Sequence, residues 1–202
     1  MNESEVGTKP KLILHFDVNE TIMIGDPAGG DTLEDCLNKI ICKSAYVRGK
    51  DQAMSSSQAT LPTHWYDGTH VSDTPPSLYT EWEIPDGAVS YYRSGRAVRR
   101  YQKNFTEPGS PGAAYRDSYD EMKAALLWPS NEDSPPPDPR LSHDGVHHFL
   151  IPAFFRTIST LAQQGRSFSI VIRTFGSDAD DVAHALNAFA EGKHLPYSPC
   201  LR

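Results

Sequence analysis

Two short apolar runs stand out from a polar chain. Residues 11 to 22 read KLILHFDVNETI, in which Leu12 to Phe16 form a hydrophobic stretch interrupted by His15 and closed by Asp17. Residues 168 to 176 read FSIVIRTFG, a β-branched run ending at Thr174. Runs of this length bounded by polar and turn residues predict buried β-strands, and His15, inside the first, reads as a satisfied core residue. Helical spacing appears elsewhere. Leu33, Leu37, Ile40 and Ile41 form a stripe behind Asp31 or Thr32 as cap, with Glu34 suited to a capping box from Asp31. Ala113 to Trp128 is partly in phase. Val146, Phe149, Leu150, Ala153, Phe154, Ile158 and Leu161 share a face, with Pro152 as a start or kink and Gly165 as the stop. Val182, Ala185, Leu186 and Phe189 form the last stripe, capped by Ser177 with Asp180 in place of Glu.

Strand, helix, long interruption, helix, strand, helix is the order of a crossover connection, which predicts an α/β fold with a parallel sheet. Residues 1–47 and 140–202 read as the core. Residues 48–139, rich in Tyr, Trp, Ser and Pro, read as a large cap-like insertion, with partial disorder as the alternative because apolar content is sparse. HWYDGTH and LYTEWEIPDGAVSYY suit short strands around turns, and SPPPDP at 134–139 stiffens the return to the core.

Charge narrows the partners. The 202 residues carry a net charge of -7, which argues against a nucleic-acid footprint. Arg93, Arg96, Arg99, Arg100 and Lys103 are the exception, spaced to share a helical face that is either solvated or able to steer an anionic substrate. Cys36, Cys42 and Cys200 form no C-x-x-C pair and read as reduced thiols. The N-terminus lacks an apolar leader core and no window reaches the length of a membrane span, so a cytoplasmic protein without membrane attachment is expected.

The chemistry gathers at the strand ends. A carboxylate at the C-terminal end of a strand in an open α/β sheet sits where such sheets bind ligands; the plainer reading of Asp17-Val18-Asn19 is an Asx-type turn, and of Thr174 a turn cap. Taken together, Asp17-Val18-Asn19-Glu20-Thr21 and the strand closing on Thr174 resemble the first and second signatures of the haloacid dehalogenase superfamily. The resemblance implies a Rossmannoid parallel sheet, only partly represented here, with a cap. It also implies a hydrolase, phosphatase-related, in which Asp17 is the nucleophile of an aspartyl intermediate. Thr21 and Thr174 would lie on the substrate side, and Mg²⁺ would be held by the Asp17 carboxylate and the Asn19 backbone carbonyl. The substrate would be a small phosphorylated or otherwise anionic molecule.

Two departures bear on activity. Phosphatases of the superfamily carry a second Asp where this chain has Asn19, and a carboxamide cannot exchange a proton at neutral pH. A slow phosphatase, a dehalogenase whose halide leaves without protonation, and a non-catalytic anion-binding relative are the three outcomes. The superfamily's later Lys and metal-binding acids have no counterpart after Thr174, where Asp178, Asp180 and Asp181 read as helix N-terminal charges. The chain therefore reads as the front half of such a protein, with doubtful activity of its own and a partner expected to cover an exposed sheet edge. His143, His147 and His148 could suggest a metal site, but they lack a third ligand of matching spacing.

Overall fold

The first strand, β1 (Leu12–Asp17), pairs in parallel with β4 (Phe168–Arg173), so that Leu12 faces Phe168 and Asp17 faces Arg173. The computed structural model describes residues 10–49, 60–80, 82–130 and 134–194. Between the two strands in sequence lie α1 (Leu33–Ser44), β2 (Tyr46–Arg48), β3 (Ala88–Ser90), α2 (Arg116–Ala124) and α3 (Pro152–Gln163); α4 (Ala179–Ala190) follows β4. The fold is mixed α/β with a small parallel sheet, as the element order predicts. Among the described residues no helix is long and apolar enough to cross a membrane.

The chain forms two compact units, residues 1–24 with 126–202, and residues 25–125. These divisions differ from the expected 47/48 and 139/140. Helix α1 lies in the second unit, where it packs against α2 and β3, and residues 126–139 belong to the first, to which Trp128 contributes a core side chain.

In the first unit, Val18, Ile22, Trp128, Leu150, Phe154, Phe155, Ile158, Val182 and Phe189 form the core, and Phe16, Phe168, Ile170 and Ile172 pack on it from the sheet. Phe16 meets Phe154 edge to face, with ring centroids 5.0 Å apart, a favoured aromatic geometry. Among the described residues only one face of the sheet is covered. Ile13, His15 and Asp17 alternate to the other face and are exposed, Ile13 by 63%. A strand expected to be buried is therefore covered on one face, and His15 is not a core residue. With two strands and no third among the described residues, the ladder is open at both edges.

Helix α3 starts at Pro152, which needs no amide donor in the first turn. Val146 and Phe149, expected on the same helix, precede it in irregular chain, where His147 bridges to Leu127. Gly165 ends the segment with φ +62, a conformation costly for a side chain. At α4 the N-cap is Asp178 rather than Ser177, and its side chain makes no capping bond.

The second unit is built on aromatic contacts. Trp65, Tyr91, Phe105 and Tyr115 are buried, with Trp65 5.3 Å from Tyr115 and Tyr91 5.1 Å from Phe105. These four aromatics of the expected insertion are thus packing residues, whereas Trp82 is almost wholly exposed. Helix α1 is capped by Thr32, whose hydroxyl accepts from the Asp35 amide while Asp35 accepts from Thr32. That is a capping box one residue later than expected, which leaves Asp31 to ion pairs with Lys39 and Lys103 that hold its carboxyl below the usual range. The helix predicted over 113–128 is shorter, and Leu127 is half exposed. Arg93, Arg96, Arg99 and Arg100 do not share one α-helical face: residues 91–93 and 97–101 form two separate 3₁₀ turns. Cys36 and Cys42 are buried and not joined in a disulfide, and burial pushes the Cys42 thiol up to about 12. Cys200 lies outside the described residues.

Candidate functional site

Parallel pairing carries the ends of β1 and β4 to the same side of the first unit. Backbone direction, rather than proximity in sequence, is what juxtaposes Asp17 and Thr174 there. Both line a cleft of about 660 Å³ together with His15, Ile172, Arg173, Phe175 and Ala179. Asp17 is exposed and faces Arg173 across the ladder, and both occupy the uncovered face. Phe175 stands wholly exposed at the cleft.

The turn after β1 explains how Asp17 is held. Val18 is fully buried, and its carbonyl accepts from the amides of Thr21, Ile22 and Met23 at 3.2, 3.0 and 3.0 Å. This tight winding requires a left-handed Glu20 at φ 57, uncommon for a residue with a side chain. It brings the Thr21 hydroxyl back to Asp17, donating at 3.1 Å to Oδ2. Thr21 thus touches the carboxylate itself and is not among the residues that line the cleft.

Asn19 and Thr174 come together behind that carboxylate. The Asn19 amide donates to Asp178 Oδ2 at 3.2 Å, and the Thr174 hydroxyl lies 3.4 Å from Asn19 Oδ1 and 3.5 Å from Asp178 Oδ2. The Gly176 amide donates to Thr174 Oγ1 at 3.1 Å, so Thr174 also organises the loop into α4. Asp178 is buried. It is more than a helix N-terminal charge, because its carboxylate closes a small polar network linking the two strand ends. Asp178 and Arg173 were missed as site residues. Their signals were available in sequence: Arg173 precedes Thr174, and Asp178 follows it by four, at the N-cap of α4.

The chain matches no protein-family profile, curated protein or solved structure. The site must be read from its own chemistry. The groups around the strand ends offer oxygen atoms, the carboxylates of Asp17 and Asp178, the Asn19 carboxamide and the Thr174 hydroxyl, of which the last three are engaged with one another.

The histidine-rich segment forms no metal centre among the described residues. His147 Nδ1 lies 2.7 Å from Asp144 Oδ2 and His143 stacks on Phe149 at 4.1 Å, whereas His148 is buried 4.7 Å from Trp128 and 5.3 Å from His194. No three metal-binding side chains converge in that segment among the described residues. Burial lowers His148 and His194 to about 4, and each imidazole also lies beside the other.

Proposed function

We propose that this chain is a haloacid dehalogenase-like hydrolase of small phosphate esters that works through an aspartyl intermediate on Asp17. One observation carries the reading: Asp17 and Thr174, residues that end separate strands, line the same cleft.

The turn from Val18 to Met23 and the Thr21 hydrogen bond hold the Asp17 carboxylate in one orientation, which reduces the ordering needed for attack. In the first step an Asp17 oxygen bonds to phosphorus as the ester P–O bond breaks and the alkoxide departs. Water then cleaves the acyl phosphate, releasing phosphate and restoring the carboxylate. Arg173, opposite Asp17, binds the non-bridging phosphate oxygens. Asn19 has no proton to give the alkoxide. His15 lines the cleft on the same strand face, two residues before Asp17. Mg²⁺, held by the Asp17 carboxylate and the Asn19 backbone carbonyl, would supply neutralisation of the substrate's charge.

A second reading, anion binding without turnover, is favoured by the network in which Asn19, Thr174 and Asp178 satisfy one another. Hydrolysis of p-nitrophenyl phosphate with Mg²⁺, beside chloride release from 2-chloropropionate, separates the readings. Slow phosphate release abolished by Asp17→Ala is the expected result. Chloride release without phosphate release would favour the dehalogenase, and phosphate binding without either product would favour the binding relative. Turnover unchanged in Asp17→Ala would overturn the assignment of Asp17.

A further inference from the structure

A second cavity lies in the other unit, remote in sequence from the cleft's residues. It has a volume of about 380 Å³ and is lined by the end of α1, by β3 and by the 3₁₀ turn at 91–93. Its walls are apolar: Ile84, Val89, Tyr46 and Tyr92 contribute, and Ile84 and Val89 leave 50% and 39% of their surface uncovered. Large aliphatic side chains left open at a concave surface favour an apolar ligand over water.

The polar groups are of one sign. Lys43 lies over the Tyr92 ring, 5.3 Å from its centroid, and Arg93 and the Ser90 residue complete the lining. No acidic residue among the described ones lines the cavity. Arg93 makes no ion pair among the described residues, and neither do its neighbours Arg96, Arg99 and Arg100. Four arginines within eight residues that make no ion pair among the described residues are unexpected in a chain of net charge -7, where carboxylates outnumber cations; Arg100 stacks on the Tyr101 ring. Of these, Arg93 lines the cavity beside the open aliphatic surface.

We propose that the cavity bounded by Lys43, Ile84, Val89 and Arg93 binds a small organic anion with an apolar, ring-sized body, its acid group held by Arg93 and Lys43 and its body against Ile84, Val89 and Tyr92. The volume falls in the range of small-molecule sites, and Arg93 supplies a planar pair of donors that carboxylate, phosphate and sulfonate oxygens can all accept. The inference is independent of the hydrolase reading, since the two sites share no residue.

Naphthalene-2-sulfonate is a suitable probe because it combines an apolar body with a permanent charge and cannot be hydrolysed at Asp17. Titration into the ¹⁵N-labelled full chain should shift the amides of residues 43–46 and 84–93. Arg93→Gln should weaken binding about tenfold, as expected for loss of a charge-assisted hydrogen bond, and Arg93→Lys should restore part of it. Val89→Asp, on a side chain that is already exposed, should abolish binding without unfolding the unit, which the unchanged remainder of the spectrum would report. Inorganic phosphate should bind far more weakly than the probe, and 2-naphthol likewise. Shifts confined to residues 13–17 and 171–176, equal affinity for phosphate or for 2-naphthol, or unchanged affinity in Arg93→Gln would each overturn the proposal.

Discussion

Asn19 donates its side-chain amide to the buried carboxylate of Asp178 at 3.2 Å, across 159 residues of chain. The contact defines what an acid at position 19 would do. Asn19→Asp sets two carboxyls against each other, and like charges this close cannot both ionise, so the pair keeps a proton well above the usual carboxylate range. That proton is the general acid the site lacks. Phosphate-ester turnover should rise by about tenfold or more if leaving-group protonation limits the rate, and chloride release should not. A carboxyl pKa raised by folding contributes no penalty below the unfolded pKa and destabilises as pH rises, so the variant should also melt lower at pH 8 than at pH 5, relative to the parent. An unchanged phosphatase rate with an unchanged pH profile would remove position 19 from the chemistry.

Thr174 is expected to matter for the fold as well as for the site. Thr174→Val removes the acceptor of the Gly176 amide and the contacts to Asn19 and Asp178. Urea denaturation should show a loss of about 1–3 kcal/mol, the range for orphaning a partly buried donor. A loss below 0.5 kcal/mol, on the order of an ordinary surface change, would mean that the network does not hold the loop.

In the second unit the corresponding polar link is Asn38, whose Oδ1 accepts from the Thr106 amide at 2.8 Å and the Thr106 hydroxyl at 2.9 Å, both buried. Asn38→Ala strands two donors and opens a void. About 2–4 kcal/mol should be lost by chemical denaturation, more than for Asn38→Asp, which retains an acceptor.

Acid should weaken the first unit through its two buried histidines. His148 and His194 are lowered to about 4 by burial, with Trp128 packed against both rings. A base whose folded pKa is depressed favours the native state when neutral; its contribution is complete above the unfolded value near 6.5 and is lost as pH falls toward 4. Each imidazole accounts for up to about 3 kcal/mol over that window. Stability measured from pH 7 to 4 should therefore decline steeply, and His148→Leu should flatten the slope. A pH-independent stability down to pH 4.5 would contradict this. Asp138, lowered to about 2 by Arg140, acts only at lower pH.

The uncovered sheet face predicts self-association. Ile13 and Val171 are exposed there, beside two open strand edges. Ile13→Lys should reduce aggregation and dye binding while shifting unfolding by less than about 0.5 kcal/mol. A large loss of stability would show that Ile13 is covered in solution.

The local signals carried much of this architecture. Apolar runs located β1 and β4, the order of elements predicted their parallel pairing, and Pro152 and Gly165 marked the ends of α3, because strand period, ring constraint and left-handed backbone are properties of a few adjacent residues. Asp17 and Thr174 could be singled out for the same reason, as polar groups at strand ends. Burial was not legible in this way. A run such as LILHF looks the same whether a sheet is covered on one face or on two, and only the tertiary packing put His15 in the open and into the cleft. Of the two caps the sequence allowed, Asp31 and Thr32, the ion pairs of Asp31 with Lys39 and Lys103 left Thr32 to cap, and the capping box moved by one residue to Thr32 and Asp35. The joining of Asn19 to Asp178, and of Lys43 to Arg93 around one cavity, depends on distances between segments far apart in the chain. Those distances are set by how helices pack on a sheet, which residue order alone does not encode locally.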